Sequence, residues 1–210
     1  MRATPARTTI LASGAGTNAR NVLERVRDGA LPLRVVALVA NDPRAGALDA
    51  AREHAVAAHA IVWDRANETR AAYDERLIAS VAATQPDLVL MLGWMHLVPA
   101  AFLRRFPQTL NLHPAWLPLD SRDDVVEAPD GTTIPALRGA HALRDAIRGG
   151  IPWVGATVHR VTSETDRGDV LVRIPVPVGD ARTEEALRER VRPAEFCAVE
   201  RAVLRWCGER

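Results

Sequence analysis

Five short apolar runs recur between segments of helical spacing, and this rhythm restricts the chain to a small set of folds. They are Thr8–Ala12, Arg34–Ala40 (RVVALVA), His59–Trp63, Asp87–Leu92 (DLVLML) and Thr109–Leu112. Continuous apolar runs suit strands covered on both faces, as in parallel sheets. Between them, Ala19, Val22, Leu23 and Val26 mark one helical face that Gly29 ends. Ala47–Val56 reads as a second helix, and Tyr73, Leu77, Ile78 and Val81 mark a third. A further short helix precedes Thr109. The alternation predicts an α/β, Rossmann-like fold: a mostly parallel twisted sheet with flanking helices and right-handed crossovers. Ligands in such sheets bind beyond the carboxyl ends of the strands. Gly14–Asn18, Asn41–Asp42, Gly93–Leu97 and Asn111–Pro114 all fall there.

The second half is organised differently. Residues 119–138 are polar and turn-rich, with Pro129–Asp130–Gly131 a turn signal, and read as an insertion or small hairpin. Gly139–Ile147 reads as a helix. Trp153–Val161 and Asp169–Val176 read as two strands, with TSETDRG between them. From Thr183 the chain is helical, with Glu184 and Glu185 favourably placed in the first turn. Pro193 is expected to kink or divide that helix. Residues 1–210 are read as a single domain with two halves, 1–110 holding a phosphate-binding loop and 111–210 the reacting centre.

Every one of the 27 basic residues is Arg. With no Lys, a Walker phosphate loop and Schiff-base or pyridoxal chemistry are excluded. Anions must be held by backbone N–H groups, hydroxyls and Arg. A formal net charge of +1 offers no general attraction for nucleic acid or an anionic membrane. Cys197 and Cys207 have no metal-ligand spacing, and no metal is expected. No run is long enough for a membrane span, and MRATPART lacks the apolar centre of a signal peptide. A cytoplasmic protein with small-molecule substrates, monomeric or homodimeric, is expected.

Ser13-Gly14-Ala15-Gly16-Thr17-Asn18 joins a strand to a helix, where two glycines free the backbone to wrap an anion. A tight turn with Asn18 as helix cap would read the same way. The loop also fits the dinucleotide fingerprint, with Asp42 where a ribose-binding acid belongs, so an oxidoreductase stays open. In Asn111-Leu112-His113-Pro114 the period of two puts Asn111 and His113 on one face. An amide donor beside an imidazole suits an acyl oxygen that gains negative charge. A capped strand with a core histidine would look no different. His159 is as readily structural as catalytic, and Asp166 alone reads as a turn residue.

Taken together in order, SGAGTN, GWMHLVPAAF, LNLHPAWLP, GATVHRVTSETDRGDVL and ERVRPAE resemble the glycinamide ribonucleotide formyltransferases. That group lies within the 10-formyltetrahydrofolate-dependent formyltransferases. The resemblance implies formyl transfer from 10-formyltetrahydrofolate, as cosubstrate, to a primary amine in purine synthesis. It implies that Asn111 bonds the formyl oxygen, His113 stabilises the tetrahedral intermediate, and Asp166 sets the imidazole's charge and relays the amine's proton. It assigns Gly16, Thr17 and Asn18 to the substrate phosphate and Glu195 to the ribose hydroxyls. Met95, His96, Leu97 and Thr165 would line the pterin pocket, and Arg70 would meet the folate glutamate. The chain departs from the family at His96, where relatives carry Arg; in residues 119–138; at Arg167 and Asp169; and at Pro193. A nucleotide-linked amino sugar is therefore an alternative acceptor.

Overall fold

The computed structural model describes residues 4–209. The chain forms two compact units that divide in sequence between Asn111 and Leu112. The first contains β1 (Ala6–Ala12), α1 (Thr17–Arg27), β2 (Leu33–Ala40), α2 (Gly46–Glu53), β3 (Ala58–Ala60), α3 (Arg70–Ala83), β4 (Leu88–Leu92) and α4 (Ala100–Arg105). Next, β5 (Thr109–His113) carries the chain across the division. The second contains β6 (Val125–Glu127), β7 (Thr133–Pro135), α5 (Ala142–Arg148), β8 (Trp153–Arg160), β9 (Val170–Pro177) and α6 (Glu184–Gly208).

Seven strands form the main sheet, in the order β3-β2-β1-β4-β5-β8-β9. β1 lies parallel to both β2 and β4, and β2 parallel to β3. In the main sheet, β8 and β9 pair antiparallel. The fold is thus the mostly parallel α/β sheet expected from the apolar runs. Ile10, Leu11, Leu38, Leu88 and Leu90 are buried at the centre of the first unit. Each such side chain contributes roughly 1.5–3 kcal/mol by leaving water. Thr9 is equally buried, but its hydroxyl meets that of Thr84 at 2.6 Å, so it leaves no polar atom stranded. Ala12 pairs with Ala40, and Leu11 with Met91. This register aligns the carboxyl ends of β1, β2 and β4, so their following loops emerge along one edge.

Three element boundaries differ from expectation. β3 stops at Ala60, although the Ile61 N–H still reaches the Ala40 carbonyl at 2.7 Å. The helix expected from Gly139 begins at Ala142, because Gly139 is left-handed (φ 83°) and its N–H is used elsewhere. Pro193 does not divide α6, which runs unbroken through 25 residues. Pro193 and Glu189, whose carbonyl loses its helical donor, are both exposed, so water can take that bond. Thr183 caps this helix, its hydroxyl accepting from the Ala186 N–H at 3.2 Å. The buried stripe of α6 includes Leu187, Val191, Ala198, Ala202 and Trp206, and it packs on β8 and β9.

The segment 119–138 does form a hairpin. Val126 pairs with Ile134 across β6 and β7, and both are buried with Ala128 against Trp116, Ile151 and Trp153. Asp130 fixes the turn, accepting from the Thr132 N–H at 2.9 Å and from the Trp153 indole at 2.7 Å. Among the described residues no helix is long and apolar enough to cross a membrane.

Candidate active site

In the first unit, the loop after β1 leads into α1 with Gly16 at the cap position and no side-chain cap bond. Asn18 therefore does not cap the helix. Gly16 has φ 78°, and a Cβ there would lie 2.3 Å from the Ala47 Cα. Only glycine meets both demands. No acidic side chain occupies the first turn of α1, so nothing there opposes the attraction of the helix dipole for an anion. Asp42, after β2, is bound by Arg44 through both the backbone N–H (2.8 Å) and the guanidinium (3.1 Å).

The loop after β4 is tied to the loop after β1. The Met95 N–H donates to the Ser13 hydroxyl at 2.9 Å, and the Ser13 N–H to the Gly93 carbonyl at 3.1 Å. Met95 and Leu97 are 55% and 68% exposed, so this loop presents apolar side chains. His96 turns instead into an aromatic group, edge-on to Trp63, Tyr73 and Trp94, with its Nδ1 3.0 Å from the Tyr73 hydroxyl. Burial, then the neighbouring Arg70 and Arg65 charges, pull the His96 pKa below its ordinary value. Burial pushes the Tyr73 phenol up to about 12. Arg70 pairs with Asp74 at 2.7 Å and donates to the Leu97 carbonyl. In this state it braces the loop.

In the second unit, His113 ends β5 and is buried. Alternation along β5 puts Asn111, partly exposed, on the same face as His113, while Leu112 is buried between them. Asp166 lies in the loop between β8 and β9 with φ 52°, a conformation that non-glycine residues seldom adopt. Its Oδ2 lies 3.5 Å from the His113 Nδ1 and accepts from the Gly139 N–H at 2.7 Å. Its Oδ1 lies 3.4 Å from the His159 Nε2. On their far sides, the His113 Nε2 is 2.7 Å from the Leu137 carbonyl, and the His159 Nδ1 is 2.8 Å from the Arg160 carbonyl.

Each imidazole thus faces an acceptor on both edges. A neutral ring carries one proton and satisfies only one of them. For His113, burial opposes the second proton and outweighs the attraction of Asp166 and the Leu137 carbonyl, so its pKa lies below the ordinary value. Burial also disfavours the Asp166 carboxylate. The hydrogen bond to His159, the His113 ring and the Gly139 N–H outweigh that penalty and hold the carboxyl well below the usual range. The site therefore holds a fixed anion beside a histidine poised to gain charge when a negative oxygen develops nearby.

The loop is held in place by Gly168. A Cβ there would stand 1.7 Å from the Arg160 carbonyl oxygen. The sequence suggested His113 and Asp166 but gave His159 no decided role; the structure brings all three together. Arg138, Leu137 and Gly139 were not foreseen as neighbours of Asp166. The only sequence signal for them was an isolated glycine ahead of a helical pattern. Thr165 is exposed beside Asp166 in the same loop. Glu195 is buried in α6 at a position that helical spacing would otherwise give to an apolar side chain.

The formyl transferase family model matches residues 6–203. A phosphoribosylglycinamide formyltransferase of Mycobacterium tuberculosis is 38% identical over 192 residues, spanning 91% of this chain and 80% of that protein. The Escherichia coli enzyme of the same name is 29% identical over 201 residues, spanning 95% of this chain and 86% of its own. Glycinamide ribonucleotide transformylase 1 from Symbiobacterium toebii superposes with a TM-score of 0.83 at 32% identity, covering 96% of this chain and 87% of that one. On the length of these matches, the chain belongs to the formyl transferase family.

Proposed function

We propose that this protein transfers the formyl group of 10-formyltetrahydrofolate to the primary amine of glycinamide ribonucleotide, a step of purine synthesis. The observation that carries the reading is Asp166. It is an ionised carboxylate held in a left-handed conformation, 3.5 Å from the buried His113, which shares a strand face with Asn111. The folate supplies an activated formyl group. The exposed apolar side chains of Met95 and Leu97, on a loop pinned by Ser13, fit the flat pterin of such a donor.

Within this reading Asn111 donates its side-chain amide to the formyl oxygen. His113 stabilises the negative charge that appears on that oxygen as the amine attacks. Nitrogen–carbon bond formation leaves the amine one proton in excess. Asp166 takes that proton, directly or through water, and the proton returns to N10 as the carbon–N10 bond breaks. Gly16, Thr17 and Asn18 hold the substrate phosphate at the start of α1, and Glu195 meets the ribose hydroxyls. Arg70, His96 and Thr165 complete the folate side. The enzyme works in the cytoplasm on small molecules, as a monomer or homodimer. Asp42 is committed to Arg44, which weighs against a ribose-binding role in a nicotinamide enzyme.

The test is direct. Protein incubated with both substrates should yield formylated amine and deformylated folate in equal amounts. His113→Asn and Asp166→Asn should each lower kcat by about 10²–10⁴-fold, the range for a lost acid–base group. The β6–β7 hairpin favours examining a second acceptor. A preference for a nucleotide-linked amino sugar in a panel of amines would reassign the acceptor while keeping the formyl chemistry.

A further inference from the structure

Two arginines join the hairpin-bearing segment to the Asp166 loop. Arg138 directs its Nε to the Asp166 carbonyl at 3.3 Å. Its terminal nitrogens reach the Asp123 carbonyl at 2.7 Å, the Ser121 carbonyl at 3.4 Å and the Asp124 carboxylate at 3.1 Å. Arg167, next in sequence to Asp166, donates to the same Ser121 carbonyl at 2.7 Å and to the same Asp124 oxygen. The Arg138 side chain is largely covered (13% exposed), whereas the Asp124 side chain is 75% exposed. Two like charges converge here only because Asp124 and two backbone carbonyls lie between them. The residue after Arg138, Gly139, supplies the N–H that binds the Asp166 carboxylate.

We propose that Arg138 is a positioning residue for Asp166, and that Ser121–Asp124 with Arg167 form the clasp that holds it. The inserted segment thereby becomes part of the frame of the reacting centre. The reasoning is geometric. Asp166 occupies a left-handed backbone conformation that persists only where its surroundings over-determine it. Gly139 fixes its carboxylate, and Arg138 fixes its carbonyl from the preceding residue. A guanidinium offers five donors in a fixed planar fork, enough for the four acceptors met here, whereas an ammonium has three. The inference rests on the assignment of His113 and Asp166 to the reacting centre.

The clasp also has an electrostatic signature. The groups facing His113 are Asp166, His159, Arg138 and the Leu137 carbonyl. Arg138 opposes protonation of His113, so its removal should raise the pH at which His113 titrates. A purely structural role predicts no such shift.

The experiment measures steady-state kinetics with 10-formyltetrahydrofolate and glycinamide ribonucleotide across pH for Arg138→Gln, Arg138→Lys and Asp124→Asn. Arg138→Gln should lower kcat by about tenfold or more, with both KM values within about threefold, as expected when positioning in the transition state is lost. The kcat limb that titrates His113 should move to higher pH. Arg138→Lys should restore that limb but only part of kcat. Asp124→Asn, which loosens the clasp on Arg138, should lower kcat by about fivefold or more with both KM values little changed. The inference is overturned by an Arg138→Gln enzyme with parental kcat and an unmoved limb. If that variant does not fold, parental kcat in Asp124→Asn overturns it instead. His113→Asn and Asp166→Asn serve as controls: full activity in these would sink the site assignment itself, whatever Arg138 does.

Discussion

Gly168→Ala tests whether the Asp166 loop sets the rate through its position. The added Cβ would lie 1.7 Å from the Arg160 carbonyl oxygen, where contacts of this kind do not fall below 3.0 Å. Something must therefore move by about 1.3 Å, the difference of those two distances. β8 resists, because its residues 154–159 are buried and its register with β9 is continuous from Trp153 to Val158. The loop must give way, and the Arg160 N–H to Asp169 carbonyl bond of 2.9 Å stretches with it. Asp166 lies two residues away, and its 3.5 Å approach to His113 has no slack to lose. A misplacement of about 1 Å in a reacting group can cost roughly 10²-fold in rate. Overpacking costs roughly 1–3 kcal/mol of stability, which for a chain of this size lowers Tm by about 2–12 °C. The expected variant is folded at 25 °C, with kcat down about a hundredfold and KM for the amine little changed. Thermal melts and steady-state kinetics on one preparation provide the check. If Gly168→Ala kept kcat within about threefold of the parent, the argument that this loop is held at its only productive position would be wrong.

Acid stability offers an independent measurement on the same carboxylate. Asp166 has a folded pKa below its unfolded value of about 3.9, so its ionised form contributes stability above that pH and loses it as pH falls toward the folded value. Urea unfolding from pH 7 to pH 3 should therefore show a smaller acid loss in Asp166→Asn than in the parent; equal slopes would contradict the assigned direction. At the other end of the unit, Thr183→Ala removes the hydroxyl that accepts from the Ala186 N–H. It should cost about 1 kcal/mol and lower Tm by about 2–4 °C without changing kcat; an unchanged Tm would mean the cap carries no net stability.

Much of the fold was legible because its strands obey one rule. A strand covered on both faces must be apolar throughout, and the runs at Arg34–Ala40 and Asp87–Leu92 are so apolar that little else could accommodate them. The third strand was overestimated for the same reason. Ile61 and Trp63 are apolar, yet Ile61 alone bonds beyond Ala60, and Trp63 is used in the aromatic group around His96. Pro193 misled in the opposite direction. The cost of proline in a helix depends on whether the orphaned carbonyl reaches water, and that depends on which face is exposed, a tertiary property.

The site was legible only where its residues are neighbours along the chain. Asn111 and His113 share a strand, so a period of two relates them. Asp166 is related to His113 by no local period, and taken alone it reads as a turn. The ordered motif match supplied the pairing that spacing could not. Arg138 and Arg167 belong to neither class. Their meeting point, Asp124, lies in the segment 119–138, outside the motifs that carry the resemblance, so the resemblance could not point to it. Among 27 arginines, nothing local distinguishes Arg138 from those on the solvent face, and Arg167 is marked only by its place beside Asp166. Their partners are mainly backbone carbonyls, which every residue carries, and a bond of that kind leaves no mark in composition or period. An inserted segment in an enzyme of this kind is thus read more reliably from what its backbone accepts than from the side chains it adds.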